Sequence, residues 1–360
     1  MKLNGRRKTA AMISAAGIII LLIVAGVCAF LPKVETADRI DFLMDTFIEQ
    51  TVVGKRPQKT MEKVYQALLA FDKELSLYDE KSEINEINSH AGKDYVKVSK
   101  RTYDLLKRSA QLSQQSDDAF DFTIAPVTML WHDAKKQGVP PTQQAIEEKL
   151  ALVDWSKVLF RDEDNSVMLA EKGMGIDVGG IAKGYACDIV KEIYEQEKVV
   201  TGTISLGGNV YTYKTPQGQE GYRVGVRDPL GGENDPLMAI TLTDCVLATS
   251  GAYERFFEYE GVSYHHIIDK KTGRPVDSDL LSATAICTDG AMADFLSTTF
   301  YILGRDAALD AIRQQELKET PEFYLVIVDR EQNIYISPSL MDKVEFFDEK
   351  SEEYTLVPVV

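Results

Sequence analysis

The sequence predicts an α+β fold: one large domain of mixed, largely antiparallel sheets with packed helices, preceded by one N-terminal transmembrane or signal segment. Two observations carry this prediction. Segments with apolar residues at helical spacing are mixed with adjacent pairs of short apolar runs, not with the regular strand–helix alternation of a doubly wound parallel sheet. No internal repeat, low-complexity tract or linker divides the chain after residue 38.

The elements follow in order. Residues 39–50 mix alternating and continuous apolar positions and read as a first strand. Met61, Val64, Tyr65, Leu68 and Leu69 recur at helical spacing, so 60–75 is a helix. A loop over 76–81 leads to a short helix that Ser82 caps, with Ile84 and Ile87 facing inward. Residues 95–98 form a strand, and Ser99 caps a helix to about 115 with Leu105, Leu106 and Leu112 on one face. Pro140-Pro141-Thr142 opens another helix to about 152. Strands 158–160 and 167–170 flank Asp162-Glu-Asp-Asn, a hairpin signal. A helix spans 181–197. Strands are expected at 202–206, 222–226, 238–242, 255–259, 263–268 and 282–287. Helices at 291–303 and 307–315 and a hairpin of 323–328 with 334–336 complete the chain.

The N-terminus sets the compartment. Residues 1–9 form a basic tail with Lys2, Arg6, Arg7 and Lys8, and 10–31 is nearly all apolar, about the length that spans a bilayer. The basic flank orients that end to the cytoplasm and places the body outside a bacterial cytoplasmic membrane. A cleaved signal ending at Val27-Cys28-Ala29, or lipidation at Cys28, gives the same compartment. The catalytic body is expected at 38–345 and a C-terminal tail at 346–360. The chain has 360 residues and a net charge of −16, which becomes about −20 without the four N-terminal cations. Such a surface repels nucleic acid. A phosphorylated ligand therefore needs local help from a metal ion or backbone amides. Cys187, Cys245 and Cys287 are odd in number and lack CxxC spacing, so they read as buried small hydrophobes, not as a disulfide framework or zinc site.

Chemistry concentrates at a few places. Asp177-Val-Gly-Gly-Ile-Ala-Lys-Gly-Tyr-Ala reads as a strand end, a double glycine and a helix with Lys183 in its first turn. Glycines admit close backbone approach, and amides at a helix start attract anions. The same run also suits an ordinary tight turn with a solvated lysine. Asp294 and Thr298 lie four apart on the expected helix 291–303, on one face, with Ser297 adjacent. A carboxylate and a hydroxyl are hard ligands suited to Mg²⁺ shared with substrate phosphates, although such residues also cap helices or face water. His265 and His266 end a strand and offer an acid–base group or a structural pair. Tyr78 and Trp131 can stack on a flat ring or pack in the core. No G-x-S-x-G, H-E-x-x-H, Walker A or G-x-G-x-x-G motif is present.

In combination and order these runs resemble the ApbE family. Met44-Asp-Thr, Leu75-Ser-Leu-Tyr-Asp-Glu-Lys-Ser-Glu-Ile-Asn-Glu-Ile-Asn, Phe120-Asp-Phe-Thr-Ile-Ala-Pro and the Asp177 run carry the resemblance. So do Leu206-Gly-Gly-Asn, Val226-Arg-Asp-Pro, Thr249-Ser-Gly-Ala-Tyr-Glu-Arg, His266-Ile-Ile-Asp-Lys-Lys-Thr-Gly and Ala293-Asp-Phe-Leu-Ser-Thr. It spans about residues 38–345. The resemblance implies a Mg²⁺-dependent FAD:protein FMN transferase that flavinylates Thr or Ser in FMN-accepting subunits of membrane electron-transfer complexes. It assigns Met44, Tyr78, Ala119, Phe120, Asp121, Asp177, Lys183 and Ile268 to FAD. It assigns the Gly180 carbonyl, Asp294, Thr298 and Ser297 to Mg²⁺. Asp45 stands where the family pattern has Gly, Lys270 where it has Pro, and Gly180 where Ala is also common. The expected catalytic set is His266, Asp294 and Lys183, with His266 or a metal-bound water as the base. FAD hydrolysis to FMN and AMP, and flavin binding without turnover, are the competing readings. Asp279-Leu-Leu-Ser-Ala-Thr faintly echoes an acceptor pattern but runs into an apolar strand, so the chain is not expected to flavinylate itself.

Overall fold

The computed structural model describes residues 33–359 except 233–234, 254, 348–349 and 351. The basic tail 1–9 and the apolar segment 10–31 lie outside the described residues. Among the described residues no helix is long and apolar enough to cross a membrane.

The chain opens with strands β1 (Glu35–Leu43) and β2 (Thr46–Gly54), then helices α1 (Pro57–Leu75) and α2 (Glu83–Ser89). Strand β3 (Val96–Lys97) leads to α3 (Lys100–Gln115), α4 (Ala125–Gln137) and α5 (Gln143–Leu150), followed by β4 (Val158–Arg161) and β5 (Ser166–Leu169). Helix α6 (Gly179–Gln196) precedes β6 (Thr201–Leu206), β7 (Asn209–Tyr213), β8 (Tyr222–Arg227), β9 (Pro236–Leu242) and β10 (Cys245–Gly251). Short pairs follow: β11 (Phe256–Tyr259) with β12 (Val262–His265), and β13 (Ile268–Asp269) with β14 (Arg274–Pro275). The chain closes with β15 (Leu280–Cys287), α7 (Gly290–Leu303), α8 (Arg305–Glu316), β16 (Phe323–Asp329), β17 (Asn333–Ile336), β18 (Val344–Phe346) and β19 (Thr355–Leu356).

The centre is a nine-stranded sheet in the order β1-β2-β6-β7-β10-β15-β16-β17-β19. Its neighbours are antiparallel except the β17–β19 pair. One face packs on α1, α6 and α7, and the other on the small sheet β18-β9-β8. Alternation along β16 shows why: Leu325 and Ile327 join the helix-side core, Val326 and Val328 the core under the small sheet. Both faces are buried, so this strand is continuously apolar in sequence. No β1 or β2 side chain belongs to the second core. The stretch expected as a C-terminal tail adds β19 to the sheet and buries Tyr354.

The α+β architecture and most expected elements are present, with several differences. Residues 39–50 are not one strand but the hairpin β1–β2, turned at Met44-Asp45 with φ of 54° and 57°. Neither residue announces a turn in the way Gly or Asn does. Helix α4 was not expected, although Pro126 at its start and left-handed Gly138 at its end are helix boundaries in the sequence. Strands β7 and β10 were not expected, and 263–268 is broken between β12 and β13. Cys187, Cys245 and Cys287 are free and buried.

Candidate active site

Helices α6 and α7 touch backbone to backbone. A Cβ on Gly184 would stand 2.0 Å from the Gly290 carbonyl oxygen and 2.7 Å from Asp294 Cβ. Only glycine permits this approach, and it brings the Gly184 amide to Asp294 Oδ2 at 2.9 Å. The start of α7 is held by two carboxylates. Asp188 accepts from the Gly290 and Ala291 amides at 2.7 and 3.0 Å, and Asp289 caps Met292 at 2.8 Å. Burial raises the Asp188 pKa to about 6.

The start of α6 is arranged differently. It has no side-chain cap and no acid in its first turn. Asp177 Oδ1 takes the Gly179 amide at 2.8 Å, bending the chain into the helix. Gly179, Gly180, Ala182 and Lys183 line a cavity of roughly 530 Å³ between this turn, the β1–β2 hairpin and α7. An open helix start with a lysine in it favours an anion. Lys183 has no ion pair among the described residues.

Every residue expected to hold FAD reaches this cavity: Met44, Tyr78, Ala119, Phe120, Asp121, Asp177, Lys183 and Ile268 line it. Tyr78 stands on the rim, 53% exposed, braced edge-on by His132 at 4.6 Å. Phe120 packs edge-on against Phe295 and near Gly180, where an added Cβ would lie 3.0 Å from its ring. Asp121 lines the cavity with a sealed side chain. It accepts from Thr123 and the Trp155 amide and pairs with Lys270 at 2.9 Å. Its carboxylate shapes the wall. Asp45, where the family pattern has glycine, sits in the left-handed region that Asp tolerates better than most residues, so the turn survives the exchange. Lys270, at the proline position, bridges Asp118 and Asp121.

Of the expected metal ligands, Gly180, Asp294 and Thr298 line the cavity. Asp294 Oδ1 makes no hydrogen bond among the described residues, while Thr298 Oγ1 meets Ser250 Oγ at 3.2 Å. Ser297 differs. It is fully buried off the cavity wall, its hydroxyl donating to the Asp294 carbonyl and meeting Ser250. Among the described residues no cluster of three or more His, Cys, Asp or Glu forms a metal cage. One carboxylate oxygen, one hydroxyl and one carbonyl suit a hard cation only when water and a substrate's phosphates complete its shell.

His266 also lines the cavity, reachable by solvent through its mouth. Surrounding protein, then the charges of Lys183 and Arg255, lower its pKa to about 3, so the imidazole is neutral at pH 7. His265 is structural: Nε2 meets the Val276 carbonyl at 3.0 Å and Nδ1 accepts the Ile267 amide. Trp131 is not a ring platform. It is buried beside Tyr264, with its Nε1 donating to the Gly273 carbonyl. Arg255 and Lys270 also line the cavity, outside the expected site set. Arg255 ends the quoted Thr249 run, and Lys270 is marked by its departure from proline.

An open helix start, three cations, an acid–hydroxyl pair and a rim aromatic surround one cavity, a combination that suits a flat, phosphorylated ligand. The ApbE family model matches residues 44–320, and the chain belongs to the ApbE family. The chain is similar to the FAD:protein FMN transferase of Treponema pallidum, 28% identical over 348 residues, covering 92% of this chain and 95% of that one. A second FAD:protein FMN transferase, from Klebsiella pneumoniae, is 32% identical over 254 residues, with 71% and 78% covered. The crystal structure of the ApbE protein of Thermotoga maritima superposes with a TM-score of 0.78 at 31% identity, covering 86% of this chain and 99% of that one.

Proposed function

We propose that this protein transfers the FMN half of FAD to a Thr or Ser hydroxyl of an acceptor protein, releasing AMP. The observation that carries the reading is the convergence of Asp294, Thr298, Gly180 and Lys183 on one cavity rimmed by Tyr78. Relatives named FAD:protein FMN transferase, similar over most of both chains, support it. Passive flavin binding needs the ring platform but not the acid–hydroxyl pair.

In this reading Tyr78 stacks on the isoalloxazine, and the pyrophosphate lies along the start of α6. Lys183 and the amides at Gly179 and Gly180 take up its charge. Asp294 Oδ1, Thr298 Oγ1 and the Gly180 carbonyl would hold Mg²⁺, which neutralises phosphate charge and eases loss of AMP. Ser250 and Ser297 orient that pair through hydroxyl contacts. The acceptor oxygen attacks the FMN-side phosphorus, the bond from that phosphorus to the AMP oxygen breaks, and the hydroxyl proton passes to neutral His266. Burial first, and then the charges of Lys183 and Arg255, depress the basicity of His266 in the free site. A pyrophosphate seated between them offsets those charges and makes the imidazole a better base when substrate is bound. Thr284, the end of the faint acceptor echo, is buried inside β15, which argues against self-flavinylation.

The compartment belongs to the same proposal. With 10–31 as an anchor or signal, the body works outside the cytoplasmic membrane, where FMN-accepting subunits of electron-transfer complexes would be its partners.

The test is to incubate the full-length protein with FAD, Mg²⁺ and an FMN-binding domain, then read acceptor mass and free AMP. Transfer gives an acceptor heavier by one FMN less water, with equimolar AMP. Free FMN and AMP with an unchanged acceptor would assign hydrolysis, and intact FAD would assign simple binding.

A further inference from the structure

The large sheet is covered unevenly. Its β10–β17 end is buried under the small sheet, but the same face of β1 and β2 has no cover among the described residues. Along β1 the alternating positions Ile40 and Phe42 point outward, and Phe47 of β2 stands opposite Phe42. The two rings meet edge-on at 5.4 Å. Ile40, Phe42 and Phe47 are 68, 61 and 63% exposed. With Leu317 they are the most exposed large apolar side chains among the described residues, and Ile40, Phe42 and Phe47 share one face of the hairpin. Scattered single apolar residues are ordinary on a surface, whereas a contiguous group on a sheet face marks a contact.

Two further features say what the contact is. Phe42 and Phe47 also line the mouth of the ligand cavity, so the patch runs without a break into the site where the acceptor hydroxyl must arrive. And β1 is the end strand of the sheet, its outer edge unpaired among the described residues. Such an edge adds an extended segment through main-chain hydrogen bonds, while neighbouring side-chain positions select it.

We infer that the β1–β2 hairpin is the docking surface for the acceptor protein, whose extended segment lies along β1 and carries its hydroxyl past Phe42 and Phe47 into the cavity. The inference rests on the transferase reading above. The acids of this face, Asp38 and Glu49, fit an acceptor segment that is apolar or basic where it meets Ile40, not acidic. Aromatic anchors at the centre of an interface commonly carry most of its binding energy.

The test uses Ile40, which lies on the patch but does not line the cavity. Ile40→Arg and the milder Ile40→Thr are compared with wild type in the full-length protein. FAD affinity, melting temperature, oligomeric state and flavin transfer to an isolated FMN-binding domain are measured. The expected result is FAD affinity within about twofold of wild type in both variants. The kcat/KM for the acceptor domain should fall about tenfold or more in Ile40→Arg and less in Ile40→Thr, through KM. Equal transfer by wild type and both folded variants overturns the docking surface and leaves the transferase reading standing. Loss of a dimer, or of binding to anionic vesicles, with transfer unchanged assigns the patch to a second copy or to a lipid surface and also overturns it. A wild type that splits FAD without labelling the acceptor defeats the transferase reading, and the docking inference with it.

Discussion

The amide of Gly184 donates to Asp294 Oδ2 at 2.9 Å, joining the interior of one helix to the carboxylate of the next. In helix numbering that amide belongs to the Gly180 carbonyl, so Gly180 and Asp294 meet around a single N–H group. The contact exists because Gly184 and Gly290 lack side chains where the helices cross. It aims Asp294 at the cavity while its second oxygen makes no hydrogen bond among the described residues.

Gly184→Ala tests that crossing. The new Cβ would meet backbone, which cannot turn aside, so the helices must separate. A loss of about 1–3 kcal/mol is expected, with a lower melting temperature and flavin transfer reduced further than FAD binding. Wild-type melting and transfer would mean that the crossing does not set the site.

Tyr78→Ala should weaken FAD binding by roughly 1 kcal/mol, about fivefold in Kd. The fold should survive, since Tyr78 is half exposed and its ring contact is the edge of His132. Flavin fluorescence titration of the folded variant measures this, and an unchanged affinity would remove the ring-stacking role.

Asp188 gives a pH dependence of known sign. Its folded pKa of about 6 lies above the ordinary carboxylate value of 3.8 because burial disfavours the charge. A raised folded pKa contributes stability that is fully present below the unfolded pKa and is lost as pH rises through about 6. The loss is on the order of 2–3 kcal/mol at most. Asp188→Asn removes the titration and keeps one acceptor for the start of α7. The melting-temperature advantage of wild type over this variant should therefore shrink between about pH 4 and about pH 6. A constant difference across that range would contradict the assignment.

Much of the fold was legible because burial patterns write themselves into periodicity. The helix faces of 60–75 and 99–115 and the doubly buried β16 read directly. The β1–β2 turn did not, because Met44 and Asp45 adopt left-handed conformations without glycine. Helix α4 was missed although Pro126 and Gly138 bound it. At the site, motif order picked out residues that share one cavity, but sequence spacing carries no depth. Nothing in the sequence shows that Ser297 is sealed behind Asp294, that Trp131 packs against Tyr264, or that Lys270 ties down Asp121. Those depend on contacts between residues far apart in the chain.

Asp294→Asn tests the central claim most directly. The substitution keeps the side-chain shape and removes the charge that would hold a cation against the pyrophosphate, while the ring platform at Tyr78 is untouched. The account predicts that this variant still binds FAD but transfers FMN to an acceptor domain at least about a hundredfold slower, corresponding to roughly 3 kcal/mol or more of barrier. Excess Mg²⁺ should restore little, and Thr298→Val should show a milder form of the same defect. Near-normal transfer by Asp294→Asn, together with wild-type activity that survives a chelator, would contradict it.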